Sequence, residues 1–407
     1  MKIQDILFTD MAKENAENLK MLKKKLNESS PQNKQDDWIL CLGAGVSISV
    51  GLPNWYGLIG KISAEILPVP GRCGDSSQDQ AFMRDVARFY EENQKNDDFY
   101  RQLQSALDGE YNKAFTSINV LEAAEYVLNY LKEDLKRTEK DGEEDEVFQR
   151  KVDFYLNQLI RKVCCFPVDP DKEFKRKLEN TTLLAVAGLM KTDKDSLIHN
   201  AITFNYDDLL ETTLEKVCGC DADKIHSIVK SDKLQGLTES EWNIYHVHGR
   251  IPVVPGSKLE MSPSVILTES DYYREEQINY SWNNIVQSYM MIRANMIFIG
   301  FSGTDYNFRR LMKYVKQEEA VVSERFIFFS VDDIVKSVFN GIVNEKKNID
   351  SCITEMNKDN SKYSFQKLFI NYLINAQTIY WEAYGMTVIW TSHEEIYHDL
   401  KSLHGFT

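Results

Sequence analysis

No apolar run in this sequence is long enough to cross a bilayer as a helix, so no membrane span is expected. The amino terminus, from Met1 to Lys20, lacks the apolar core and small-residue cleavage site of a secretory signal. The seven cysteines are odd in number and irregularly spaced, unlike a secreted disulfide framework. Reduced thiols and a cytoplasmic location are the expectation. An excess of positive charge is also missing. There are 48 Lys plus Arg against 62 Asp plus Glu, a net charge of -14, which argues against direct, sequence-independent binding of nucleic acid. Internal repeats and low-complexity tracts are absent.

What remains is ordinary globular material: 407 residues, 43% hydrophobic and 27% charged, enough for one large domain or two moderate ones. Short apolar runs stand at Trp38–Leu42, Asn200–Phe204, Met296–Ile299, Arg325–Ser330 and Met386–Trp390, and a sixth candidate is Asn243–Val247. Runs this short and apolar on both faces fit parallel strands covered by helices. Helical stretches follow at Asp207–Val217, Asn307–Val315 and Glu395–Leu403. The alternation predicts an α/β fold with a doubly wound, Rossmann-like parallel sheet.

Between Ala81 and Met190 the periodicity becomes helical. Asn119 and Glu122 have capping-box spacing, and Phe148, Val152, Tyr155, Leu156 and Leu159 form one apolar stripe. The acidic run Glu139–Glu146 reads as a solvated turn. A helical C-terminal region spans Ser361–Tyr384, where Phe365, Leu368, Phe369, Tyr372, Leu373, Ile379 and Tyr380 read as a core-packing stripe. The polar helix Lys13–Leu26 has little core face, which points to a contact with a partner or another subunit. The expected organisation is an N-terminal helix and linker (1–35), an α/β domain (36–80 and 195–407) and a large all-helical insertion (81–194).

Four motifs fall at strand carboxyl ends, where open α/β sheets bind ligands. Gly43-Ala44-Gly45-Val46-Ser47 continues to Gly51, Pro53, Asn54 and Trp55. Its glycines permit close backbone approach and its helix start suits a diphosphate, although tight packing alone also accounts for them. Thr203-Phe204-Asn205-Tyr206-Asp207-Asp208 projects Asn205 and Asp207 toward the same side, and Asp208 reads as a helix cap or exposed neighbour. His246-Val247-His248-Gly249 offers a histidine before a glycine, suited to general-base work near neutrality. Either histidine also fits as a satisfied, partly buried side chain. Gly300-Phe301-Ser302-Gly303-Thr304-Asp305 is a second turn fit for phosphate or ribose, or a helix cap.

In this order the four motifs resemble the sirtuin family. Gly43 to Tyr56 is similar to its first glycine motif, Thr203 to Asp207 to its T-Q-N-x-D, His248-Gly249 to its catalytic H-G, and Gly300-Phe301-Ser302 to its later G-x-S. The resemblance implies NAD as substrate. It implies Asn205 orienting ribose and water, Asp207 lining the nicotinamide pocket or stabilising positive charge, and His248 as base. Gly43, Ala44, Gly45, Ser47, Ser302 and Asp305 would bind diphosphate and ribose, Trp55 would close over the nicotinamide, and Pro53, Asn54 and Gly300 complete the NAD-binding set. Two departures matter. No cysteine lies between Gly249 and Asn295, so the zinc ribbon of sirtuin deacylases is missing and no metal is expected. Asn54-Trp55-Tyr56 also replaces the family's Asp-Phe-Arg, which weakens acyl-substrate handling.

The extended second turn resembles the sirtuin-like NADases of bacterial antiviral defence. Chain length is similar to their stand-alone subunits that assemble with a HerA-type hexameric ATPase. The resemblance implies an NAD hydrolase that depletes the infected cell, as a homo-oligomer with such an ATPase. An ADP-ribosyltransferase, a deacylase and a non-catalytic NAD or ADP-ribose-binding subunit are the alternatives.

Overall fold

The strands are short because both faces are covered. Trp38–Leu42 (β1) and Asn295–Ile299 (β5) are buried at every position, as a parallel sheet between helices requires. In the computed structural model they belong to a seven-stranded, wholly parallel sheet. The other strands are Asn200–Thr203 (β2), Ile225–Ile228 (β3), Trp242–His246 (β4), Arg325–Ser330 (β6) and Thr387–Thr391 (β7). Their order is β3-β4-β2-β1-β5-β6-β7. Residues described are 2–29, 37–66, 119–138, 145–166, 174–191, 197–229, 241–277, 281–301, 306–317, 323–339, 346–358 and 361–403.

The expected doubly wound α/β architecture is present, with each of the six expected runs lying in a strand. β3 is the addition. Its four residues are half polar, and Ser227 and His226 disguise it in the sequence. Register aligns the strand ends: Leu42 pairs with Thr203 and with Ile299, and Thr203 pairs with His246. The residues just beyond β1, β2, β4 and β5 therefore emerge at one level.

The chain forms two compact units. The first comprises Met1–Leu52, Pro167–Leu259 and Glu275–Thr407, and holds the whole sheet. Within it the helix Thr182–Lys191, almost entirely buried, packs on the helix Ile396–Leu403. The N-terminal helix runs from Thr9 to Glu28 and is part of this unit. Leu22 and Leu26 are fully buried. Asn15 exchanges two hydrogen bonds with the Trp390 backbone, and Asn18 Nδ2 donates to the Val388 carbonyl. Its fully buried side chains are two leucines, and amides and the Lys25–Glu324 ion pair supply polar anchors, so little of it reads as an apolar face.

The helix Ser364–Glu382 departs from the expected core stripe. Ile370, Ile374 and Trp381 are buried, whereas Phe365, Leu368 and Tyr372 are more than half exposed. Phe365, Phe369 and Tyr372 stack in a row, with centroids 6.2 and 6.4 Å apart.

In the second unit, Pro53–Phe166 with Glu260–Arg274, the regular elements among the described residues are helices. Trp55–Ile66, Val120–Thr138 and Asp145–Cys164 pack together through Ile59, Ile62, Ala123, Val127, Val152 and Ile160. Asn119 caps the second of these, its Oδ1 accepting from Leu121 N at 2.9 Å, while Glu122 binds the Tyr126 hydroxyl instead of returning to the cap. The buried Asn157 ties the segment Glu260–Arg274 to this unit by donating to the Ser262 and Pro263 carbonyls. Of the acidic run, 139–144 lies outside the described residues, and Asp145 and Glu146 begin the third helix, where negative charge suits its dipole. No helix among the described residues is long and apolar enough to cross a membrane.

Candidate active site

Strand order reverses at β1, which lies between β2 and β5. The turns that follow β1 and β5 thus flank the switch point of the sheet, where ligands of doubly wound folds bind. Both turns depend on glycine for packing. Gly300 has φ +76°, and a Cβ there would stand 2.7 Å from Val46 N and 2.9 Å from Gly43 O. A Cβ on Gly43 would meet Gly300 O at 2.5 Å. Hydrogen bonds from Gly43 N to Ile299 O and from Gly45 N to Gly300 O, each 2.9 Å, join the turns backbone to backbone. The missing side chains let the two turns pack against each other at the switch point.

Asn205 stands beyond β2. Its Nδ2 donates to Gly43 O and to Ser47 Oγ, each at 3.0 Å, and Thr203 Oγ1 accepts from its backbone N–H at 3.1 Å. The Ser47 hydroxyl donates in turn to Asp207 Oδ2 at 2.6 Å. Asn205, Ser47 and Asp207 are one hydrogen-bonded chain at the mouth of β1 and β2. Burial pushes the Asp207 carboxyl up to about 6, with nearby Asp208 adding to the rise, against the opposing bonds from Ser47 and the Leu209 amide. A half-buried amide and a carboxylate poised near neutrality suit chemistry that develops positive charge.

His248 is buried at the start of the loop after β4, edge-on to Phe204 with centroids 4.9 Å apart. Gly249, at φ +88°, turns the chain so that Ile251 N reaches Tyr206 O at 2.7 Å. The histidine loop therefore runs alongside the Asn205–Asp207 segment.

Gly43, Gly45, Ser47, Asn205, Asp207, His248 and Gly300 gather in the first unit, with Ala44 opening the short helix Ala44–Ile48. Ser302 and Asp305 lie outside the described residues. Pro53, Asn54 and Trp55 belong to the second unit. There the exposed Asn54 caps the helix Trp55–Ile66 by accepting from Gly57 N at 2.8 Å, and Trp55 packs edge-on to Tyr272.

Three residues given no site role by the sequence are built into this site: Glu211, which it did not single out, and Asp208 and His246, which read as a cap or exposed neighbour and as a satisfied histidine. Asp208 is fully buried and accepts from the Val253 and Val254 amides at 2.8 and 3.2 Å. It is neither exposed nor a side-chain cap, and its carboxyl fastens the histidine loop. Glu211 and His246 pair at 2.7 Å beneath Asn205. Asp-Asp and His-x-His doublets were the available signals, each with one member facing inward.

Among the described residues no group of three or more His, Cys, Asp or Glu is placed to hold a metal ion. Cys218 is buried, which pushes its thiol up to about 11.

Fold and site together define a doubly wound α/β protein with a polar, glycine-lined site at its switch point. Residues 199–372 match the family model described as SIR2-like domain. The match supports a sirtuin-like family and an NAD-dependent enzyme of that superfamily, and it spans Asn205, Asp207, His248 and Gly300. No curated protein matches the chain.

Proposed function

We propose that this protein is an NAD hydrolase that breaks the nicotinamide–ribose bond, giving nicotinamide and ADP-ribose. The carrying observation is the chain of hydrogen bonds from Asn205 through Ser47 to the buried Asp207, set against the paired glycine turns. Glycine turns at the switch point suit close approach of a diphosphate, and the amide and carboxylate suit a ribose that becomes electron-poor as nicotinamide leaves. Nicotinamide departs neutral, so no acid is required. Asn205 orients ribose and the attacking water. Asp207 offsets the developing positive charge. His248 takes a proton from water or a ribose hydroxyl, and the water oxygen completes the new bond to ribose C1′.

In the same reading the protein is a cytoplasmic, NAD-depleting effector of bacterial antiphage defence. It works as a homo-oligomer with a HerA-type hexameric ATPase as partner. The exposed aromatic row on the helix Ser364–Glu382 supports burial against another chain.

The test is nicotinamide release from NAD by the purified protein, alone and with such an ATPase, beside Asn205→Ala and His248→Ala. Losing a general base costs roughly 10²–10⁴ in rate, so the folded His248→Ala variant should retain little turnover. Undiminished release by both variants overturns the site. Tight NAD binding without release by the wild type, with and without the ATPase, overturns the hydrolase reading in favour of a binding subunit.

A further inference from the structure

His246 reaches Asn205 from below the site. Its ring is fully buried, with Nδ1 3.2 Å from the Asn205 carbonyl oxygen and Nε2 2.7 Å from Glu211 Oε1. A carbonyl oxygen only accepts. Glu211 Oε1 is already the acceptor for the Ser227 hydroxyl. Burial pushes the Glu211 carboxyl up, but the charge and hydrogen bond of His246, with the Ser227 hydroxyl, hold it below the usual value. With the Ser227 hydroxyl donating to Oε1 and a carbonyl oxygen facing Nδ1, hydrogen on both ring nitrogens is the arrangement that satisfies every contact.

Acidic and basic groups both lie near this pair. Asp207 and Asp208 lie on the loop leading to Glu211. Arg250, in the loop after β4, donates from Nη1 to the Ser227 carbonyl at 2.9 Å, and His248 lies two residues along the chain. Glu211 is itself fixed by the short helix Leu209–Thr212, which passes directly into a wider turn over Thr213–Val217.

We propose that His246 is a buried imidazolium, held by Glu211, that clamps the Asn205 peptide and so positions the Asn205 side chain for the NAD reaction. The catalytic half of this rests on the role given to Asn205 above. His246 and Glu211 are positioning residues: the peptide is held through its carbonyl, while Nδ2 is aimed at Gly43 O and Ser47 Oγ from the other side.

The experiment is nitrogen NMR of the full chain labelled with ¹⁵N-histidine, the His246 signals being assigned by their loss in His246→Gln. Both ring nitrogens should carry hydrogen at neutral pH. A bare nitrogen there overturns the clamp, whatever the protein does to NAD. Glu211→Gln should return the ring to the neutral form, shift the Asn205 side-chain amide signal, and lower kcat about 10²-fold with KM little changed, the scale of a small misplacement. Glu211→Asp, which keeps the carboxylate, should recover part of each effect, and it serves alone if Glu211→Gln does not fold. A folded Glu211→Gln protein with an unmoved Asn205 signal or wild-type kcat overturns the positioning role. If the wild type releases no nicotinamide, the hydrolase reading fails alone, and the ring state and amide signal still decide the clamp.

Discussion

Asp207 should make the protein's stability fall as pH rises through the mildly acidic range. Burial raises its carboxyl from 3.8 to about 6 in the folded chain. A group raised on folding contributes stability that is complete below its unfolded value and lost as pH climbs through the folded one. The full loss is about 3 kcal/mol at ~1.4 kcal/mol per pH unit, of which about 2 kcal/mol falls between pH 4.5 and 8. Asp207→Asn removes that dependence. It keeps an acceptor for the Ser47 hydroxyl but sets an amide against Leu209 N–H, costing about 1 kcal/mol. By pH 4.5 the wild type has already lost about 1 kcal/mol, so the variant is expected to match it there and to be more stable by about 2 kcal/mol at pH 8. Urea unfolding of both proteins across this range measures the difference, which cancels the titration of every other group. A difference that stays constant, or that moves toward the wild type with rising pH, would refute the burial argument.

Two further outcomes follow from packing. Gly300→Ala places a Cβ against Val46 N and Gly43 O at positive φ. It should cost about 1–3 kcal/mol and abolish NAD binding, checked by thermal unfolding and ligand titration. Leu26→Ala should cost about 2–5 kcal/mol, since the side chain is fully buried, and a loss below about 1 kcal/mol in urea would show that the N-terminal helix is peripheral.

The sheet was largely legible because its strands are apolar on both faces, a pattern that short stretches such as WILCL and RFIFFS announce locally. β3 was hidden by its polar half. The site was legible as motifs at strand ends, but its wiring was not. Asp208 sits where a helix cap is expected, and only the fold brings the Val253 and Val254 amides to it. Glu211 and His246 are 35 positions apart, and nothing in the spacing couples them. The aromatic stripe of Ser364–Glu382 shows the opposite failure. Helical periodicity identifies a continuous apolar face without saying whether this chain or another covers it, and here much of that face stays exposed.

Asn15 carries a consequence beyond anchoring its helix. β7 is the last strand of the sheet, and its outer rim would otherwise offer Trp390 N–H and C=O as a template for any extended chain. The Asn15 amide answers both groups, accepting at 2.6 Å and donating at 2.9 Å, much as a neighbouring strand would, and Asn18 covers the Val388 carbonyl. The N-terminal helix is in this respect an edge guard: remove it, and strand-to-strand aggregation through β7 becomes open to the protein.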